Sequence, residues 1–433
     1  FKNNNWSFYL LLATHFQCSE SIKMRNLIFL ISVFCVSSCK CQVPIQLFNK
    51  SLHSGLTEKI GNFSVELLFH TTHSQPRAEN LIISPITVWT VLAVIAEGAT
   101  DNTLKQISSA IRVLPKNKDR VKQEYQSLLR WLDVITPTIE LQKFNALFVD
   151  DRNRPLKDFQ DVAKDYDTRM ISVNFTDSER TSQLVNTAIS TVTHGRIPAL
   201  ISSADLESAN LLLVSALYFK GQWTVPFNKS STTKQPFYDS DGVKLGEVNM
   251  MYSRYTYPFA NIDKLQARVL EIPYGEQNRL SMLIMLPNKG VSLNEMFYNL
   301  GNVSLDTLFD ELKVAVEQYG EDEVDCLIPR FKIESSLSLI QPLNKMGIYD
   351  LFDTKKARLP LMTRVPVFVS NIIHKAEIEV IEEGTTASAA TAAEFSNRIG
   401  VIRFEANRPF LTKYVTILEI FQIINGNRVS SYD

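Results

Sequence analysis

Side chains able to do covalent chemistry are sparse along this sequence. It carries no Gly-x-Ser-x-Gly elbow, no Gly-x-Gly-x-x-Gly loop, no P-loop and no His-Glu-x-x-His zinc motif. Its six histidines are His15, His53, His70, His73, His194 and His374. His70 and His73 stand three apart, which suits one face of a helix, but a metal centre needs more ligands nearby and cysteines are missing there. A solvated or packed pair is the plainer reading, so neither a metal nor a cofactor is expected. Cys18, Cys35, Cys39 and Cys41 precede the body of the chain, which keeps Cys326. The segment that stands out is residues 382–400, EEGTTASAATAAEFSNRIG. From Thr385 to Ala393 it holds small residues, with no Gly, Pro or large apolar side chain, and Arg398 is its one basic residue. None of the catalytic motifs above accounts for so plain a stretch closing on one arginine.

The elements around it read as one large α+β domain. In 433 residues, 45% apolar and 21% charged, there is material for a sizeable core, and a net charge of −1 argues against nucleic acid or an anionic membrane as main partner. One body cysteine permits no disulfide framework, so the core must supply stability. Residues 54–135 read mainly as helices. NFSVELLFHTTH has helical apolar spacing behind Asn62, a candidate N-cap, and ISPITVWTVLAVIAEGA opens on Ser84-Pro85 and is apolar nearly all round, as a buried helix is. KDRVKQEYQSLLRWLDVI is amphipathic. Strands follow: IELQKFNALFV, MISVNFT, ARVLEIPY, RLSMLIMLP, EVDCLIPRFKIES, and ANLLLVSALYFKGQW, whose apolar run suits a central strand.

The N-terminus has its own pattern. The sequence begins with Phe, and residues 1–23 read as translation upstream of the true start. From Met24 to Cys41 come a basic Arg25, an apolar run Leu27–Val36 and small residues Ser37, Ser38 and Cys39: the layout of a secretory signal peptide, with cleavage expected after Cys39 or Cys41. The run is too short for a membrane anchor, and a short buried helix is the competing reading. Residues 42–54 read as a tail. Sequons at Asn49, Asn62, Asn174, Asn228 and Asn302 fit a secreted glycoprotein.

Several of these stretches, in order, resemble the serpin family. EEGTTASAATAA is similar to the family's hinge. NLIISPITVWTVLAVIAEGA (80–99) resembles its buried second helix, and VNTAISTVTHGRI (185–197) a further family segment, with Ala188 where Trp is usual. SALYFKGQWTVPF (215–227), IPRFKIESSLSLIQPLNKMGIYDLFD (328–353) and VSNIIHKAEIEVIEEGT (369–385) complete the match, which runs from about 55 to 411. The resemblance implies a serpin fold: helices packed around three β-sheets, with an exposed reactive loop at about 382–402. It implies a protease inhibitor rather than an enzyme, monomeric and secreted, with a carrier, chaperone or storage serpin as the alternative.

What the resemblance implies for residues is specific. The hinge falls on Glu382, Gly384, Thr385, Ala387 and Ala389, and after cleavage this loop enters the main sheet as a new strand. Entry buries alternate side chains. Thr385, Ala387, Ala389, Thr391 and Ala393 form one small, uncharged set, and no Pro removes a ladder donor. An Ala-rich helix or a linker competes with this, against the Thr and Ser content and the strand-like AEIEVIEE before it. The scissile residue is expected fourteen places beyond Gly384, at Arg398–Ile399. An arginine there suits a trypsin-like serine protease, whose pocket carries an acidic group. Arg-Ile-Gly at 398–400 further suggests a zymogen-activating protease of an extracellular cascade. Ser84, Asn186 and His374 match the family's cluster beneath the sheet, and Trp223 the residue at the insertion point. Lys116, Lys118, Arg120 and Lys122 start a helix that some serpins use for heparin, making a glycosaminoglycan a candidate partner. Two departures stand out. Gly384 to Phe404 is twenty residues, shorter than usual for the family, and residues 412–433 lack its Gly-Arg-Val-x-x-Pro ending.

Overall fold

The computed structural model describes residues 55–75, 79–132, 136–206, 209–275, 280–303, 305–319, 323–383, 401–415 and 420–424. The signal-like segment, the tail before Gly55 and residues 384–400 lie outside the described residues. In chain order the elements begin α1 (Gly55–Thr72), β1 (Leu81–Ile83), α2 (Pro85–Gly98), α3 (Asp101–Ala110), α4 (Lys118–Leu132), β2 (Ile139–Asp150), α5 (Lys157–Asp165), β3 (Arg169–Val173) and α6 (Ser178–Val192). They continue with β4 (Leu211–Gly221), β5 (Thr233–Tyr238), β6 (Lys244–Tyr255), β7 (Phe259–Ile262), β8 (Ala267–Tyr274), β9 (Leu280–Pro287), α7 (Leu293–Leu300) and α8 (Leu305–Tyr319). Last come β10 (Val324–Pro329), β11 (Phe331–Ser338), α9 (Ile340–Lys345), β12 (Asn371–Val380), β13 (Ile402–Glu405), β14 (Phe410–Val415) and β15 (Ile420–Ile424).

Helices pack around three sheets, as the sequence predicts. α1 buries Leu56, Ile60, Phe63, Leu67 and Leu68 along one face. It starts about two turns before Asn62, because Leu56 and Ile60 extend the buried stripe; Asn62 is an exposed helical residue and not a cap. α2 opens on Pro85 at its first position and is buried throughout from Pro85 to Ile95. The Trp89 indole stacks on Tyr125 of α4 at 5.7 Å, and its N–H donates to the Ile111 carbonyl at 3.1 Å, so this large side chain leaves no polar atom unpaired.

The five-stranded sheet is ordered β11-β12-β4-β2-β3. β4 is buried from Leu211 to Phe219, as expected of a central strand covered on both faces. It pairs antiparallel with β2 but parallel with β12, from Asn371↔Leu212 to Glu379↔Lys220. One face is covered by α6 and the segment after it, where Val185, Ile189 and Ile201 meet Phe144, Val214 and Ile373 in one apolar cluster.

EVDCLIPRFKIES, expected as one strand, divides into two. β10 joins the four-stranded sheet β13-β10-β6-β5, while β11 edges the five-stranded one. The break is at Pro329-Arg330, where Pro has no N–H for a ladder. The third sheet runs β1-β15-β14-β9-β8-β7. Residues beyond 411 are integral to it: β14 continues to Val415, and β15 lies between β1 and β14. Ile424, in β15, is fully buried. Ile424→Ala should therefore cost about 3 kcal/mol and lower the thermal midpoint by several degrees, while Tyr298→Ala, at an exposed helical site, should leave it nearly unchanged. Equal melting curves for both variants would contradict this placement of the chain end.

Candidate functional site

Among the buried apolar side chains of the β4–β12 seam lies one cluster of hydrogen-bonding ones. His374 of β12 and Ser215 of β4 are register partners, and both are fully buried. The Ser84 backbone N–H, just before α2, donates to His374 Nε2 at 3.0 Å. Nε2 therefore carries a lone pair, and the ring proton sits on Nδ1, which lies 3.1 Å from Ser215 Oγ. Ser215 Oγ donates in turn to Thr87 Oγ1 at 2.6 Å, and Thr87 Oγ1 to the Ser84 carbonyl at 2.9 Å. The chain of donors closes on the first turn of α2. A second proton on His374 would oppose the Ser84 N–H and charge a dry site; burial holds its pKa down at about 3. Ser84 Oγ itself is buried with no hydrogen-bond partner among the described residues.

Of the sequence-predicted cluster, Ser84 and His374 meet here, but Asn186 does not. It lies on α6, where its side-chain N–H donates to the Ile201 carbonyl at 2.8 Å and its oxygen accepts from Leu200 and Ile201 N–H at 2.8 and 3.0 Å. Ser215 occupies the place assigned to it. The missed signal was a lone hydroxyl inside LLLVSALYF: a buried serine in a central strand needs a partner. The turn that Asn186 holds still bears on the seam, because Lys375 of β12 donates from Nζ to the Ala199 carbonyl at 2.9 Å. Lys375 also pairs with Glu334 of β11 at 2.6 Å, and Lys332 of β11 pairs with Glu377 of β12. Glu334 and Glu377 are register partners, so these lysines relieve a like-charge pair.

At the top of the seam, the chain leaving β12 is pinned to the segment leaving β4. Trp223 Nε1–H donates to the Ile381 carbonyl at 2.6 Å, its backbone N–H to the Glu383 carbonyl at 3.0 Å, and the Phe227 N–H to the Glu382 carbonyl at 3.0 Å. The indole stacks on Tyr274 at 4.2 Å. Glu382 is buried, accepting from Thr232 Oγ1 at 2.8 Å with Arg330 Nη1 3.7 Å away. Lys220 and Lys229 lie 4.0 and 3.8 Å from Glu383. Glu382 is the last hinge residue placed; Gly384, Thr385, Ala387, Ala389, Arg398 and Ile399 lie outside the described residues.

Three of the four basic residues near α4 are paired with acids: Lys118 with Glu97 at 3.0 Å, Arg120 with Glu124 at 2.8 Å and Lys122 with Asp165 at 3.3 Å. That leaves little net field for a polyanion. Asn62, Asn174 and Asn302 are exposed and Asn228 is half-buried, while Asn49 lies outside the described residues. Within two sequons the Asn side-chain oxygen accepts from the downstream residue, Thr176 for Asn174 and Ser230 for Asn228.

Comparison with known proteins adds the following. Residues 58–417 match the family model described as serpin (serine protease inhibitor). A leukocyte elastase inhibitor of Sus scrofa is 34% identical over 364 residues, covering 81% of this chain and 92% of that one. Serine protease inhibitor 2 of Anopheles gambiae is 30% identical over 362 residues, covering 80% and 86% respectively. The crystal structure of serine protease inhibitor (serpin)-12 of Manduca sexta superposes with a TM-score of 0.73 at 23% identity, over 84% of this chain and 97% of that one.

The buried imidazole generates a pH prediction. Its folded pKa lies below the ordinary value near 6.5, so the unfolded chain takes up the proton first as pH falls. The neutral-His contribution is intact above about 6.5 and is lost progressively from there down towards 3. Between pH 6.5 and 5 the loss should be about 2 kcal/mol, read from denaturant midpoints. In His374→Gln that part of the pH slope should flatten. An identical slope in both proteins would show that His374 already ionises in the fold.

Proposed function

Because this chain belongs to the serpin family of serine protease inhibitors, we propose that it traps a trypsin-like serine protease as a covalent acyl complex after cleavage of the Arg398–Ile399 bond. The observation that carries this reading is the parallel β4–β12 seam leading, through the pinned residues 381–383, straight into the small-residue segment. A strand entering from the end of β12 runs antiparallel to both neighbours. Entry exchanges one parallel ladder for two antiparallel ones, the more stable kind per residue. Thr385, Ala387, Ala389, Thr391 and Ala393 then meet the covered face without charge or bulk.

The steps follow from that exchange. The protease serine attacks the Arg398 carbonyl, the Ile399 amine leaves, and an acyl-enzyme forms. The segment from Thr385 then inserts and draws the tethered protease along a path of roughly 45 Å, at about 3.3 Å per residue. Displacement to the far pole distorts the enzyme before water can release it. Target preference resides in the loop, so relatives named for leukocyte elastase do not set it here; Arg398 supports a trypsin-like partner. Ile399 after the bond supports a zymogen-activating protease of an extracellular cascade. Residues 24–41 and the sequons support secretion.

Incubation with a panel of trypsin-like proteases, read as a detergent-stable complex on a gel, tests the reading. Arg398→Ala should abolish the complex, because the pocket pair is lost; undiminished trapping would place the scissile bond elsewhere. Thr385→Arg should leave cleavage intact but block entry, since burying the charge costs several kcal/mol. The loop would be cut and the protease released active. A stable complex from Thr385→Arg would exclude that side chain from the inserted face.

A further inference from the structure

Several arginines placed by the structure answer to a carboxylate, among them Arg112 to Glu66, Arg152 to Asp150, Arg196 to Glu140 and Arg254 to Asp325. Arg268 of β8 and Arg408 just before β14 do not. Both are half-buried, and neither has a carboxylate within ion-pair distance among the described residues. Arg268 Nη1 donates to the Arg403 carbonyl of β13 at 3.1 Å, and its guanidinium lies 5.8 Å from the centre of the Phe404 ring. Arg408 Nη2 donates to the Pro287 carbonyl at 2.6 Å. The acid whose charge both feel, Glu405, is bonded to Arg403 at 3.2 Å.

Three guanidiniums thus share one carboxylate where the six-stranded and four-stranded sheets meet. Burial holds the pKa of Arg268 and Arg408 below the usual arginine range, and for Arg408 the charge of Arg268 adds to it. An uncompensated, partly buried cation pair is unfavourable in the isolated fold. An arriving anion would relieve it, and bidentate guanidiniums suit a carboxylate. The patch lies under β13, which begins four residues after Arg398. At about 3.3 Å per residue, Ile402 can lie no more than roughly 13 Å from Arg398, which is within reach of the rim of a protease bound at that bond.

We propose that Arg268 and Arg408, with Arg403, form a secondary docking site for carboxylates on the rim of the protease that cuts at Arg398, an inference that rests on the inhibitory reading above. The site acts on encounter and leaves the trapping chemistry to the loop. Charges at a rim mainly change association rate and its salt dependence.

The experiment measures second-order rates of complex formation with the trypsin-like protease that the wild type traps fastest, at low and moderate salt. The double variant Arg268→Gln/Arg408→Gln should trap the protease about tenfold more slowly at low salt, with a flatter salt dependence and an unchanged stoichiometry. Arg268→Lys/Arg408→Lys keeps the charge and should stay within about twofold of wild type. Unchanged rates in the Gln variant overturn the proposal. An equal loss in the Lys variant also overturns it, because packing and not charge would then be at work. Reduced retention on immobilised heparin with unaltered trapping rates would reassign the patch to a polyanionic glycan and overturn it too. Should the wild type trap no trypsin-like protease at all, the inhibitory reading is what fails, and the docking site falls with it.

Discussion

If the loop inserts as proposed, the central pair of strands in the main sheet must hold together before cleavage and part after it. β4 and β12 satisfy both demands through a polar filament. An apolar seam locked by interdigitating side chains would resist separation at every residue. A neutral imidazole and two hydroxyls give directional bonds that hold the strands in register, and these break as a unit once the geometry is lost. The filament also ties both strands to the first turn of α2, itself buried beneath the sheet. The seam, the helix beneath it and the charge state of His374 therefore form one linked arrangement.

A second restraint lies on the opposite face. Asn186 organises the turn after α6, and that turn offers the Ala199 carbonyl to Lys375. Lys375 is equally engaged with Glu334 on the neighbouring strand. Strand separation on the β4 side would act against this brace, while cross-strand ion pairs bind β11 to β12. Among the described residues, the parallel boundary carries one such pair, Lys220 of β4 with Glu379 of β12 at 3.2 Å, against two across β11–β12.

Much of this was legible in the sequence. The all-apolar PITVWTVLAVIAEG declared a buried helix, LLLVSALYF a central strand, and the chain of motifs the family and its three sheets. His374 stands at the seam and Trp223 at its upper end. Asn186 does not join the cluster because sequence order assigns a residue to a motif and not to a point in space; its helix packs on the face where Ile373 points, while His374 is held by the segment opening α2. Ser215 was hidden by its surroundings, one hydroxyl in a run of apolar side chains. The division at Pro329-Arg330 was missed because each half alternates as a strand should, and only the missing Pro donor marks the joint. The uncompensated pair of Arg268 and Arg408 could not be read at all, since it depends on which acids the fold brings near.

The joint at Arg330 has a further consequence for what a cut at Arg398 would leave behind. β10 and β11, its two arms, hold the chain on either side of that bond, through β13 and β12 respectively. Cleavage would make two polypeptides, the smaller running from Ile399 to the end. That fragment owns β13, β14 and β15, and the last two are interior strands of the six-stranded sheet. It cannot diffuse away without dismantling that sheet. The product is a non-covalent heterodimer by composition and a single body by stability, so one half can travel while the other stays as its anchor.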